Sequence, residues 1–515
     1  MRRRLPRAVA FALAFSVALP ACTFQALKVE PVASGPPATV KAPVKAHLKD
    51  GSTVVYERGV RVSTDALVGS GMRYDLSLRR SEPVERVPLG EVAAMETFRV
   101  EVKAAETVVF SLLATGAVAL GGALLAVAIF GSCPTVYSSA GGRDVLEAET
   151  FSYSIAPLLE TRDLDRLHAT ADAEGRVRLD VRNEALETHY INHLQLLEVR
   201  HAVDERVLPD AGGRAVVTGD LHPADQVHDR AGRDARSSLA AADGEAFGSV
   251  REAVARANAG DLEDWLDVSV PVPDRVEQVA LVLRARSSLL NTVLFYDVMM
   301  ARSGARALDW LGADLDRIGE AVELGRWVRR RLGLHVKVFR AGTFQEVARV
   351  PDPGPIAWRD VAVVVPVVPG ERVARLRLSF LTDAWRIDRL QVAYHVREAA
   401  PRSIALAQVR GGAGADEAEA RAGLEHADGR YLQTRPGQRF SAIFDAGPEP
   451  ERETRTFLLS SQGYYTEWVR GAWLRGSANE AFVPSDEALL VALRRWTERR
   501  AAFEQAFEQN RVPVR

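Results

Sequence analysis

The sequence predicts a mainly β fold with some α. Three observations carry that reading. Short runs with apolar residues at alternate positions recur from residue 44 onward and again between 334 and 397. Glycine-bearing turn pairs such as Asp50-Gly51 and Arg58-Gly59 separate them. Helical patterning or long apolar runs are confined to a few segments, chiefly 107–131, 308–333 and 486–510. A chain of 515 residues exceeds one ordinary hydrophobic core, so several domains are expected.

The chain opens with an export signal over residues 1–21. Met1–Arg7 holds four arginines and no acid, and Ala8–Leu19 is apolar or small throughout. That run has the length of a secretory core and is too short to cross a bilayer. Leu19-Pro20-Ala21-Cys22 resembles the bacterial lipobox. The resemblance implies a diacylglyceryl thioether on Cys22, cleavage before it, and usually acylation of the new amine. Two or three chains make a stable anchor, because each buried methylene contributes about 0.8 kcal/mol and a single chain is marginal. Thr23 follows the cysteine, and the lack of an aspartate there leans toward the outer membrane. The covalent lipid on Cys22 is the only group expected to be attached, and the bilayer is the first expected partner.

Residues 22–43, with Pro31, Pro36 and Pro37, read as a tether. Residues 44–105 read as a meander of hairpins resembling small SH3- or Sm-like barrels, in which a "DGS" turn opens a strand (Asp50-Gly51-Ser52). From Thr107 to Gly142 no residue is charged, and Val108–Gly131 is 24 apolar or small residues without interruption. At about 1.5 Å per residue that length spans a bilayer core. Ser111, Thr115, Ala119 and Ala123 form a small-residue stripe suited to helix contact in lipid. Gly121-Gly122 leaves a re-entrant bend or hairpin open, and a helix buried within protein is the third reading. The side of the membrane on which residues 132–515 lie depends on which holds.

Past that segment come "CPTVYSSAGG", "EAETFSYSI" and "LETRDLDRL", carrying Cys133, Pro134, Tyr137, Gly141, Glu147, Glu149, Phe151, Asp163, Leu164 and Leu167. These resemble uncharacterised bacterial envelope proteins with a CPxVYSxxG element after a hydrophobic stretch. The resemblance implies an exported lipoprotein of undetermined activity and no catalytic residues. Ala140-Gly141 stands where related sequences often have Asp-Gly. Residues 132–305 are expected as a β-rich domain, strand-rich over 177–205 and 266–300. Residues 306–410 are expected as an amphipathic helix (Leu308–Gly333) followed by strands resembling jelly-roll sandwiches. A flexible linker is expected over 411–426. Residues 427–515 should hold a strand pair and a helix from Asp486, capped by Ser485.

Charge is nearly balanced, 66 basic against 68 acidic residues, so there is no electrostatic case for nucleic acid. With Cys22 lipidated, Cys133 has no disulfide partner. No P-loop, GxGxxG after a strand, HExxH, GxSxG or CxxC occurs. His222, Asp225 and His228, with Asp220 and Asp229, are the candidate metal ligands. His189 and His193 would share a helix face, but their surroundings read as a strand. Tyr464, Tyr465 and Trp468 are the candidate sugar-stacking residues, with Trp473, Trp358 and Trp385 as further aromatics. The expected function is a non-catalytic scaffold or partner-binding lipoprotein of the cell envelope, on the periplasmic side. A glycan-binding module is the alternative, and a metal-dependent hydrolase the third reading.

Overall fold

The computed structural model describes residues 25–31, 38–41, 44–48, 52–56, 58–74, 81–102, 133–303 except 186 and 259, 307, 310, 311, 318–411 except 369, 417–434, 438–450, 453–467, 480 and 482–508. The signal segment, Cys22, the apolar run Val108–Gly131 and Trp468 lie outside the described residues. Among the described residues the chain is mainly β, with several sheets and few helices, and no helix is long and apolar enough to cross a membrane. It divides into two compact units.

The first unit is one eight-stranded antiparallel sheet. The strands flanking Asp50-Gly51, Val44–Leu48 and Thr53–Tyr56, pair directly. Alternate residues Val44, Ala46 and Leu48 meet Val54, Tyr56, Val62 and Leu67 in its core. At Gly59, with φ of +84°, a Cβ would lie 2.1 Å from the Val40 carbonyl oxygen, so the Arg58-Gly59 turn requires glycine. The tether reading is corrected in part, because Gln25–Pro31 and Ala38–Val40 are strands. Leu27 and Val29 alternate with Lys28 and Glu30, a period-two pattern easily missed among the neighbouring prolines.

Four five-stranded sheets build the second unit. Sheet I runs Arg143–Glu149, Thr135–Ala140, Arg176–Arg182, Arg439–Asp445, Leu406–Arg410. Sheet II runs Thr161–Arg166, Thr454–Glu467, Glu187–His201, Arg402–Ile404, with Leu432–Thr434 also on Glu187–His201. One core joins these two sheets, with Val177, Leu179, Phe440 and Phe444 from sheet I meeting Leu194, Leu196, Phe457 and Leu459 from sheet II. Sheets III and IV draw all their strands from residues 206–398. Gln278–Ser287 in sheet III is buried at nine successive positions, so both faces of that strand are covered.

The two sheet pairs are nested, whereas the sequence reading placed the modules in succession. Strand Glu187–His201 leaves the outer pair, the chain builds sheets III and IV, and it returns at Arg402–Ile404 to pair with the strand it left, Leu196 opposite Ile404. Domain insertion brings the two ends of the insert together, which composition along the chain does not register. Two local readings also differ. Leu290–Ser303 is helical, with a π-helical stretch over Leu294–Met300, because Leu290, Val293, Leu294 and Val298 follow a helical period. The segment expected as a linker contains the helix Glu417–Glu425, whose Ala420 and Leu424 enter the core between sheets I and II. Its alanines and glutamates are strong helix formers. The amphipathic helix spans Ile318–Leu332. The C-terminal helix is Asp486–Glu508, with the Ser485 Oγ accepting the Ala488 N–H at 3.3 Å.

Candidate functional site

The loop after strand Thr343–Val350 reads "PDPGPIA", Pro351–Ala357, and it feeds backbone N–H groups to two buried carboxylates. Glu149, at the end of a sheet I strand, accepts Ile356 N–H at 2.8 Å and Ala357 N–H at 3.2 Å, and the Cys133 thiol lies 3.4 Å from its other oxygen. Burial pushes the Glu149 carboxyl up to about 8 against the pull of those donors. Asp352, in the loop itself, accepts Gly354 N–H at 3.0 Å and the Asn291 side-chain amide. Burial lifts it to about 7. Gly354 sits between the two at φ +88°, where a Cβ would lie 2.6 Å from Glu149 Oε2.

Next to Asp352 opens a cavity of about 560 Å³, within the range of small-molecule sites. Its walls are largely apolar. Helix Ile318–Leu332 contributes Ala321, Leu324, Val328 and Leu332 at helical spacing. The π-helical stretch adds Leu294, Phe295 and Met299, and the turn after Ile155 adds Leu158 and Leu159. π-Helical turns occur disproportionately at functional sites. Leu158 and Val322 on the wall are 38% and 39% exposed, which gives the mouth an apolar edge.

One corner of this cavity is polar. Ser287 donates its N–H to the Gly354 carbonyl at 2.9 Å, so Ser287, Gly354, Asp352 and Asn291 are contiguous, and Ser152 adjoins Gly354 from the other side. Three of the residues on the cavity wall each hold a polar atom, Ser287 Oγ, Asn291 Oδ1 and Tyr153 Oη, that is buried and has no hydrogen-bond partner among the described residues. Leaving a buried polar atom unmet costs about 1–3 kcal/mol. Arg359, also on the wall, is committed to Asp163 and Asp165 at 2.5 and 2.7 Å. Burial and the neighbouring Asp163 push Asp165 up to about 7 despite Arg359. That triad carries one net negative charge when both aspartates are ionised.

Cys133 is buried at φ +92°, with its N–H donated to Glu187. Burial, then Glu149 and Glu187, raise its thiol well above the ordinary value, the reverse of what a nucleophile needs. His189 Nε2 lies 2.8 Å from Glu187 Oε1, and burial pushes this histidine down to about 3. It is a neutral imidazole donating a hydrogen bond.

Of the residues singled out in the sequence, Phe151, Asp163 and Tyr465 reach the cavity wall; Tyr465 is fully buried with its hydroxyl donating to the Ser152 carbonyl at 3.0 Å. Tyr464 is buried and stacked on Tyr190 at 4.6 Å. Neither offers a ring face to solvent. Trp385 is buried, its Nε1 donating to the Leu332 carbonyl. The half-exposed Trp265 has Arg230 and Arg377 over its ring at 4.4 and 4.3 Å. His222 is exposed on a sheet III strand beside Asp220, whereas His228 is exposed on sheet IV opposite Asp267. No group of three or more possible metal ligands gathers among the described residues, so the structure does not bring His222, Asp225 and His228 together as a site. His189 and His193 lie on one strand, with a register shift between them.

Sequence reasoning missed Tyr153, Ser287, Asn291 and Asp352. The available signal was polar residues inside apolar or proline-rich runs, "SSLLNTVLF" and "VPDPGP".

No family model matches the chain, and no curated protein does. Among solved structures, a GH31 alpha-xylosidase from Xanthomonas citri is 9% identical, with 85% of this chain and 34% of that one covered at a TM-score of 0.14. The chain thus spans about a third of that enzyme's length. A structure of Sulfolobus Turreted Icosahedral Virus is 8% identical, with 65% and 92% covered at a TM-score of 0.13. Neither carries an argument about fold or function.

Proposed function

We propose that this protein is a lipid-anchored, non-catalytic binding protein of the bacterial cell envelope, held at the membrane through Cys22, with an SH3- or Sm-like first domain followed in sequence by jelly-roll-like sandwiches. The lipobox-like Leu19–Cys22 supports the anchor. The observation that carries the binding role is the largely apolar cavity of about 560 Å³. Cys133 and His189 support the non-catalytic part, because their surroundings hold the thiol protonated and the imidazole neutral with Nε2 engaged.

Two measurements test this. Mass spectrometry of the native amino-terminal peptide is expected to find a diacylglyceryl thioether on Cys22, and an unmodified thiol there overturns the anchor. Organic extraction of purified protein is expected to release an apolar compound from the natural chain and far less from Gly325→Leu. At Gly325, on the cavity wall, an added Cβ meets nothing within 4 Å, so a side chain can start there without displacing its neighbours. Equal extracts from both proteins overturn the binding role.

A further inference from the structure

We propose that the cavity takes a single-chain amphiphile with an anionic head, its chain inside and its carboxylate or phosphate at the mouth on Arg329. The inference rests on the reading of this cavity as a binding site and adds the ligand's chemistry and orientation.

The head is assigned by an exposed cation of the wall. Arg329 stands on the same stripe of helix Ile318–Leu332 as the partly exposed Val322, two turns further along, and both line the cavity. Its Nε donates to the Gly325 carbonyl at 3.2 Å, which lays the guanidinium back over the turn where the wall has no side chain. Its two terminal nitrogens have no protein partner, and no carboxylate lies within ion-pair distance of it, among the described residues. Other charges of the wall are already engaged. Arg359 is held by Asp163 and Asp165, and Glu160 accepts the Asn192 and Gln462 amides and the Tyr431 hydroxyl at 2.8, 3.0 and 2.8 Å. Exposed Arg162 gives its Nε to Ser460 Oγ at 2.7 Å. The flat fork of Arg329 matches a carboxylate or a phosphate, and bonds to such groups are the stronger, charge-assisted kind. Arg329 also borders a second hollow, where Arg326, Arg330 and Arg349 join it against Glu323 and Glu346, so the field around it favours an anion.

The orientation follows from where apolar surface and buried charge lie. A chain that enters meets Leu324, Val328, Leu294 and Met299, and each methylene that leaves water there is favourable. An ionised head that entered would lose its water beside Asp352 and the net negative Asp163–Arg359–Asp165 triad. At the mouth the same head stays solvated and gains Arg329, while Leu158 and Val322 cover the first part of the chain. An uncharged head gains no ion pair there, so a fatty alcohol of the same length is the discriminating comparison.

The test uses the full-length lipoprotein in nanodiscs and palmitate carrying a diazirine in its chain, with crosslinked peptides identified by mass spectrometry. Labelling is expected in the segments around Leu294–Met299 and Leu324–Leu332, and Gly325→Leu is expected to reduce it strongly. Unlabelled palmitate or 1-palmitoyl lysophosphatidate is expected to compete at a membrane concentration about two- to fivefold below 1-hexadecanol, the scale of one exposed ion pair. Whichever of the two anions competes at the lower concentration identifies the head as carboxylate or phosphate. In Arg329→Gln the preference over hexadecanol is expected to vanish. Arg330→Gln, which removes an equal charge one residue away and off this cavity's wall, is expected to keep it. If hexadecanol competes as well as both anions, if Arg329→Gln keeps the preference, or if the two variants lose it alike, the anionic head on Arg329 is overturned while the binding role stands. If cavity peptides are unlabelled, or labelled equally in Gly325→Leu, the binding role falls as well.

Discussion

Two buried carboxylates met by the same loop, Pro351–Ala357, are closed to different degrees. Around Glu149 three donors, the N–H groups of Ile356 and Ala357 and the Cys133 thiol, converge on two oxygens. Around Asp352 the carboxylate itself is met by Gly354 and Asn291, but Asn291 and the adjoining Ser287 each keep an unmet atom. Depth of burial does not separate these corners. The difference is closure: one is saturated by its own chain and ties the inserted sheets to the outer pair, while the other keeps unused hydrogen-bonding capacity in residues of a cavity wall. Buried polar groups in folded proteins are nearly always paired, so a local excess of unpaired ones points to a missing partner.

The sharpest way to break the comparison is at the residue between the corners. Gly354→Ala forces a side chain into φ +88° and against Glu149 Oε2. A loss of about 3 kcal/mol or more, or failure to fold, is expected from strain and collision together. Gly325→Ala, in a helix with space around it, is expected to gain about 0.5–1 kcal/mol. Similar melting curves for Gly354→Ala and the natural protein would mean that the loop is not held against Glu149.

A smaller effect comes from pH. The Glu149 carboxyl titrates at about 8 in the folded protein against an ordinary 4.5, so between those values the folded state holds a proton that the unfolded state has lost. Stability from this group is complete below about pH 4.5 and is lost as pH rises through 8. Asp352 and Asp165, both near 7 when folded, act in the same direction over a lower window. His189 acts in the opposite sense, but only between about 3 and 6.5. From pH 6.5 to 8 the carboxyls alone remain, and Glu149 should cost about 1–2 kcal/mol over that interval. Thermal melts at the two pH values should show this fall in the natural protein and a flatter response in Glu149→Gln, whose amide can turn its oxygen to the two N–H groups. An unchanged slope in the variant would remove Glu149 as the titrating group.

Much of the strand pattern was legible from alternation and turns. Val44, Ala46 and Leu48 alternate as read, Asp50-Gly51 separates paired strands, and Ser485 caps the last helix. Nesting was not legible, since the pairing of Leu196 with Ile404 joins residues some two hundred positions apart and leaves no local trace. Nor was the site. Its members come from the segment after sheet I, a strand end, a helix start and a proline-rich loop, and none looks unusual in its own neighbourhood. Tyr464 and Tyr465 attracted attention because aromatics are conspicuous in sequence, yet burial decides their role, and both are inside.

The finest discrimination between a closed and an open corner needs only two hydroxyls. Ser154 and Ser287 are both without exposed surface. Ser154 Oγ accepts the Thr161 N–H at 3.1 Å and lies 2.8 Å from Thr161 Oγ1, so it works within the saturated side of the structure. Ser154→Ala removes that acceptor and leaves a part-buried N–H without it, with an expected loss of about 1 kcal/mol. Ser287 Oγ has no protein partner, so Ser287→Ala deletes an unpaired buried hydroxyl and is expected to change stability by less than about 0.5 kcal/mol, or to raise it slightly. Denaturant melts of ligand-stripped protein read the two values side by side. Equal losses would show that Ser287 has a partner within the chain and that its corner is as closed as the other. A loss confined to Ser154 leaves the Ser287 hydroxyl without a structural role in the stripped protein.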